Sequence, residues 1–338
     1  MEVGVSLWNF DLQGGVQPFY VADFSTGTLP EGITFTRAST ATYIGSDGLI
    51  KTASVDEPRF DYNPANSMLR GILVEGARTN YLLNSGAPAT QTTASLPTGT
   101  YTLSVVGSGS ATSSAGTAVG SNFGTATAGS PNVFTVSTSG TVTVTVSGSL
   151  TRFQLENGSF ASSYIPTTGA TATRAAESLT RSLIAGVGGF APSVGGTLVA
   201  EWTAGQSGVQ SLVARIASSV GTSDGTAVSI FQRNTTTPSF VESRDNFSSN
   251  PVINIGSGAA VVGTTYKVAF AFSDNDFAVS INGGSVSTSS SGTIGTVSTI
   301  NGFKFGGRAA DQFLFGWIRK VTFYNQRLSN DQLLALSA

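Results

Sequence analysis

The chain has 338 residues, 17 of them Lys or Arg and 19 Asp or Glu, giving a net charge of −2, with 41 Gly and neither Cys nor His. Without cysteine it can form no disulfide, thiolate nucleophile or Cys-based zinc site, and without histidine it has no Ser-His-Asp or Cys-His arrangement and no His-ligated metal. The charge balance leaves no basic footprint for nucleic acid.

An enzyme built from this chain would have to run on Asp, Glu, Lys, Tyr, Ser or Thr. Apolar residues make up 40% and aromatic residues 9%, with 21 Phe, which is enough to fill β cores and unlike a disordered chain. The length allows two or three domains. No run of about 18 apolar residues occurs, so no membrane-spanning helix is expected. The start, Met1-Glu2-Val3-Gly4-Val5, lacks the basic and apolar regions of a secretory signal. The expectation is synthesis in a cytoplasm without a leader.

In chain order, residues 1–30 read as an N-terminal segment with two extended pieces, around Val3 to Leu12 and Phe19 to Phe24. With no local partner, they are expected either to attach to another surface or to form edge strands of the next domain. Residues 31–85 carry most of the first half's charge. Gly45-Ser46-Asp47-Gly48 reads as a hairpin turn. Arg59, Asp61, Arg70, Glu75, Arg78 and Asn80 interleave with apolar residues. This pattern fits partly buried ion pairs that lock strands together, with a ligand site as the alternative.

From 86 to about 175, period-two alternation in Tyr101–Val105, Val133–Val136 and 141–146 predicts half-buried antiparallel strands, with 152–156 closing the set. Residues 107–130 read as long low-complexity loops, and 177–196 as a Gly- and Pro-punctuated linker. A second β unit fills 197–338, with strands around 197–202, 211–216, 227–231, 266–272, 277–281, 303–305 and 317–324. A short helix closes the chain. Ser329 and Gln332 form its capping box, and Leu328 and Leu333 its hydrophobic staple. The fold class is all-β: an attachment segment, a jelly-roll β-sandwich and a second β-sandwich.

Three stretches carry a family resemblance. They are Phe35-Thr36-Arg37-Ala38-Ser39 running on to Pro58-Arg59-Phe60-Asp61-Tyr62; Gly71-Ile72-Leu73-Val74-Glu75-Gly76-Ala77-Arg78-Thr79-Asn80; and Gln154-Leu155-Glu156-Asn157-Gly158 running on to Thr173-Arg174-Ala175-Ala176. Over residues 31–176 the chain resembles the head spike fibre proteins of tailed phages and gene-transfer agents, whose middle part is similar to a carbohydrate-binding jelly roll. Residues 197–338, through Val279–Gly284 and Gly316–Val321, resemble a concanavalin A-like (laminin G-like) sandwich.

The resemblance implies a virion fibre or spike protein made in the host cytoplasm. It would attach to capsid or tail proteins through residues 1–30, assemble as a homo-oligomer (trimer first) and bind host surface polysaccharide. A purely structural fibre without sugar binding and a polysaccharide depolymerase are the alternatives. The carboxylate triplet of glycosidases on this fold is missing, so no catalytic residue is assigned. No cofactor, metal, nucleic acid or membrane insertion is expected.

Sugar sites combine aromatic faces with planar polar groups. The candidate glycan contacts are Arg233, Asn234, Glu242, Arg244, Asp245, Asn246, Asp274, Asn275, Arg308 and Asp311, all on polar loop stretches. Asp274, Asn275 and Asp276 offer hard oxygen ligands but no complete calcium loop. Trp202 and Trp317 fall inside strand patterns and are expected in the core. Trp8 is expected to anchor the N-terminal segment to a partner.

Overall fold

The structure is a computed structural model. It describes residues 16–182, 195–207, 209–217, 227–232, 260–292, 302–308 and 312–338, and the backbone alone for 241–244. Strands dominate, and the one α-helix among the described residues is Asn330–Ser337. No helix among them is long and apolar enough to cross a membrane. Residues 1–12, including Trp8 and the first extended piece, lie outside the described residues.

Among the described residues the strands form two antiparallel sandwiches and a separate two-stranded hairpin, Ala41–Ile44 with Ile50–Ala53. In the middle unit a six-stranded sheet faces a four-stranded one. Gly99–Gly107, Asn132–Thr138 and Leu150–Asn157 are the central strands of the larger sheet, and they turn Tyr101, Leu103, Phe134, Phe153 and Leu155 inward. The intervening polar residues face the other way, as the alternation predicts. The stretch expected as loops carries three strands instead, Ser110–Ala115, Val119–Ser121 and Thr125–Thr127. Ala111, Ala118 and Ala126 are buried there. Small side chains supply too little hydrophobic contrast for a pattern, yet their backbones pair fully in the ladder.

The second sandwich has an eight-stranded sheet, here the front sheet. Its order is Ser287–Ser289, Asp276–Ile281, Thr265–Ser273, Gly196–Thr203, Gly316–Tyr324, Leu69–Val74 and Phe60–Tyr62, with Tyr20–Asp23 paired to the far half of Gly316–Tyr324. The six-stranded back sheet begins with Thr34–Thr36 and Ser178–Ser182, then Gly302–Phe305, Ser211–Ala217, Ala227–Gln232 and Val241–Arg244. Trp202, Phe270, Phe272, Phe277, Phe303, Phe305 and Phe323 fill the space between them. The capping box closes as expected: Gln332 N donates to Ser329 Oγ at 3.3 Å and Ser329 N to Gln332 Oε1 at 2.8 Å. Leu328 and Leu333 are buried together against the outer face of the front sheet.

Strand pairing does not follow the boundaries read at 30, 176 and 196. Tyr20–Asp23, Phe60–Tyr62 and Leu69–Val74 belong to the front sheet, and Thr34–Thr36 and Ser178–Ser182 to the back sheet. Residues 78–174 are thus an insertion, and the stretch read as a linker begins with a sheet strand. A single chain shows strand propensity but not strand partners, so the linear reading placed the divisions at composition changes.

A buried charge network joins the two sandwiches where the chain crosses between them. Arg59 is fully buried; its Nε and Nη2 donate to Glu177 Oε1 and Oε2 at 2.7 and 2.8 Å, and Nη2 also to Glu75 Oε2 at 2.8 Å. Its Nη1 reaches the Thr42 carbonyl and Ser163 Oγ, both at 2.8 Å. Arg37 donates to Glu177 Oε1 at 2.9 Å. Arg174 donates to the Gly76 carbonyl at 2.8 Å and sits 3.1 Å from Glu75. These are the bidentate, charge-assisted bonds that make charges tolerable away from water. The pattern in Arg59 and Glu75 is therefore a lock between strands.

Burial pushes the Glu75 carboxyl up, but the Arg174 and Arg59 charges and two bonds from Ser163 outweigh it and hold it at about 2, below its ordinary 4.5. A carboxyl held below its unfolded value adds stability that is complete above the unfolded value and is lost as pH falls through the folded one. Glu156 works in the opposite sense, because its burial raises it despite two bonds from Ser162. Glu75→Gln should cost about 3–5 kcal/mol at neutral pH, because it removes the negative charge shared by two buried guanidinium groups, Arg59 and Arg174. In urea unfolding, the gap between native and variant should shrink as pH falls from 4.5 towards 2. A gap that stays constant would mean that Glu75 does not carry this charge.

Candidate functional site

The front sheet turns Leu198, Ala200 and Trp202 inward, so Val199, Glu201 and Thr203 of the same strand point outward. Next to it, Ile318, Val321 and Phe323 point inward. The register shifts between Glu201 and Trp202, so Ile318 pairs with Trp202 and Lys320 with Glu201, leaving Arg319 as an extra residue. A bulge of this kind re-aims side chains. It brings Arg319 Nε to 3.1 Å from Glu201 Oε1, while Lys320 Nζ lies 3.5 Å from Asp23 Oδ2. The helix covers one end of this outer face, packing Leu333 and Leu336 over Val199, Ala269 and Ala271. Among the described residues the other end is open.

Trp317 lies at that open end, in a row of paired residues that runs Thr265, Thr203, Trp317, Leu73 across four strands. At the usual spacing this row is roughly 14 Å long. Trp317 is half-buried on the outer face, in contrast to the core position expected for it; Trp202 is in the core, as expected. The indole Nε1 donates to Asp61 Oδ2 at 2.8 Å, and the Arg70 guanidinium lies over the ring at 4.4 Å. Gly71 makes this approach possible. Its φ is 124°, and a Cβ there would fall 2.2 Å from the Ile318 carbonyl oxygen. Asp61 also accepts from Ile44 N at 2.7 Å. Burial raises the Asp61 carboxyl, against those two bonds and the Arg70 charge.

Two cavities meet at the Trp317–Arg70 stack. One, of about 650 Å³, lies over the sheet and is walled by Asn63, Asn66, Met68, Glu201, Val262 and Arg319. The other, of about 300 Å³, runs behind Asp61 to Tyr43, Ser163 and Tyr164. Met68 and Val262 are strongly exposed on the rim. The groove therefore combines an aromatic side chain, apolar rims, fixed amides and paired charges. These are the elements that hold a ring with an apolar face and hydroxyl edges.

None of the residues named from sequence that the structure describes lines this groove. Arg233, Asn234, Asp245, Asn246 and Asp311 are outside the described residues. Glu242 and Arg244 lie in a strand of the back sheet, opposite Ser229 and Ala227, and not in a loop. Asp274 and Asn275 form the turn at the far end of Thr265–Ser273, about 25 Å along the strand from the groove. Asn275, at φ 57°, bonds the Gly292 backbone in both directions. Asp276 accepts from Arg327 at 2.8 Å. Arg308 Nη1 lies 3.4 Å from Gln312 Oε1. Among the described residues no cluster of three carboxylates is placed to hold a metal ion. Asp61 and Arg70 belonged to the charged pattern in the sequence. Glu201, Arg319 and Trp317 carried one signal, their alternation with buried Ala200, Trp202 and Ile318.

No protein-family model matches the chain, and no curated protein matches it either. Among solved structures it is similar to the Ruminococcus gnavus IT-sialidase CBM40 bound to alpha2,3 sialyllactose, with a TM-score of 0.34 and 19% identity over 43% of this chain and 83% of that one. Domain 4 of AbnA, a GH43 extracellular arabinanase from Geobacillus stearothermophilus, in complex with arabinotriose, gives 0.33 and 16% over 54% and 84%. The NanB sialidase from Streptococcus pneumoniae gives 0.33 and 18% over 43% and 24%, so the chain spans about a quarter of that protein's length.

Trp317→Phe removes the indole donor and leaves Asp61 with one fewer partner. It should destabilise the protein by about 1–3 kcal/mol in urea unfolding. An unchanged midpoint would show that the bond to Asp61 contributes nothing.

Proposed function

We propose that this chain is the glycan-binding subunit of a fibre or spike projecting from a phage particle, and that the groove around Trp317 is its sugar site. The observation that carries the sugar-binding part is the open outer face of the front sheet. There Trp317, Arg70, Glu201, Arg319 and the Asn63 and Asn66 amides surround one cavity of about 650 Å³. The side chains are held by ion pairs, a bulge and a cation–π stack, so little conformational freedom is lost when a sugar enters. The resemblance of the three sequence stretches supports the particle part. In this reading, residues N-terminal to the sandwich attach the subunit to capsid or tail proteins. Several copies, first of all a trimer, multiply a weak single-site affinity by avidity. Synthesis in the host cytoplasm and release by lysis bring the protein to its target.

Labelled protein incubated with candidate host cells should bind saturably and lose binding when the surface polysaccharide is stripped. Trp317→Ala and Glu201→Gln should each weaken binding by about tenfold or more, as for central contacts of an interface. Normal adsorption by particles lacking the protein would favour a structural fibre. Polysaccharide shortened by the purified protein would favour a depolymerase.

A further inference from the structure

The hairpin Ala41–Ile44 with Ile50–Ala53 separates the cavity behind Asp61 from a third one. This third cavity, of about 350 Å³, opens on the jelly roll between Ser104, Val106 and Arg152. The two cavities share Ile44, Ile50, Ala161, Ser162 and Tyr164 as walls. Each contains a guanidinium laid over an aromatic ring: Arg70 over Trp317 at 4.4 Å, and Arg152 over Tyr164 at 5.6 Å.

These two arginines differ from the others near the joint. Arg37, Arg59 and Arg174 are buried and donate to carboxylates, carbonyls or hydroxyls. Arg70 and Arg152 are half-buried, and their guanidinium groups make no hydrogen bond to the described residues. Arg70 has only a loose ion pair, 3.9 Å from Asp61, and Arg152 pairs with no carboxylate among the described residues. A guanidinium has five N–H donors in a planar fork that matches a carboxylate. Here each guanidinium lies over a ring, in adjoining cavities, one arginine coming from the front sheet and the other from the jelly roll. The other cation of the groove, Arg319, is engaged with Glu201, and further along the same face Lys320 pairs with Asp23 and Lys267 donates to the Ala338 carbonyl oxygen.

We propose that the ligand is an acidic, carboxylate-bearing polysaccharide that crosses from the jelly roll to the front sheet, with Arg152 and Arg70 each receiving a carboxylate. The proposal rests on the sugar-binding reading above and specifies its ligand class. It also makes the site composite, since each sandwich supplies one fork. The Trp317–Arg70 stack then serves as one anion subsite, and Tyr164 with Arg152 as the other.

The test uses the full chain on immobilised polymers: polygalacturonate, alginate and hyaluronate as acidic probes, dextran and mannan as neutral ones, and each acidic probe again after chemical reduction of its carboxyl groups to alcohols. The expected result is binding to at least one acidic polymer that is lost on carboxyl reduction and weakened by added salt. Arg152→Gln and Arg70→Gln should each weaken it roughly ten- to hundredfold, the worth of a hydrogen bond to a charged group. Arg152→Lys should recover only part, because it keeps the charge and loses the fork. Lys51→Gln removes an exposed cation paired with Asp47 on the same hairpin and should change nothing. Far-ultraviolet circular dichroism and the urea midpoint separate a folding defect from lost contacts. Binding to a neutral polymer, or binding that survives carboxyl reduction, would overturn the acidic-ligand proposal and leave the sugar-binding reading standing. Binding to none of the polymers, by protein that also fails to bind cells, would overturn both.

Discussion

Burial of the Arg59 guanidinium is the constraint on which the rest of the structure depends. A charge removed from water is tolerable only when its partners are present and correctly placed. Arg59 draws Glu177 from one end of the inserted unit, Glu75 from the other, Ser163 from a jelly-roll loop and the Thr42 carbonyl from the hairpin. None of these segments can shift without stranding the charge. A hydrophobic patch would tolerate sliding. A fork of directed bonds does not, and so the network fixes one relative placement of the sandwiches.

The groove follows from that placement. Glu75 ends the run that begins with Leu69–Val74, so fixing it fixes the strand that carries Arg70. Gly71 lets the strand press against Ile318, and Arg70 comes to rest on Trp317. On the other side, Thr42 Oγ1 donates to the Tyr164 carbonyl at 2.5 Å, joining the hairpin to the loop that walls two cavities. The same contacts therefore serve as lock and as scaffold for the groove.

Much of the architecture was legible in the sequence. Alternation marked the strands of both sandwiches. The Ser329–Gln332 pair marked the helix. The charged stretches around Arg37, Arg59, Glu75 and Arg174, which carried the family resemblance, converge in space on a single network. Pairing was less legible: the strand around Tyr20 looks like any half-buried strand until Phe323 appears opposite it. The site was the least legible. Polar residues in loops drew attention because loops often carry function, whereas the groove is built from outward positions of sheet strands. Trp317 was read as core because it falls inside a strand pattern, and only the inward placement of Ile318 shows that it faces out.

The insertion of residues 78–174 has a consequence for how such a chain changes over generations. The unit enters after Gly76 and leaves before Glu177, and these two crossings are tied to each other: Glu177 N donates to the Glu75 carbonyl at 3.1 Å, and Arg174 to that of Gly76. A genetic exchange that swaps everything between them need not reorder a single strand of the host sandwich. The newcomer must only bring an arginine at its exit and a serine-bearing loop to receive Glu75. Recombination at these two points would replace one wall of the groove in a single event while leaving the other wall untouched.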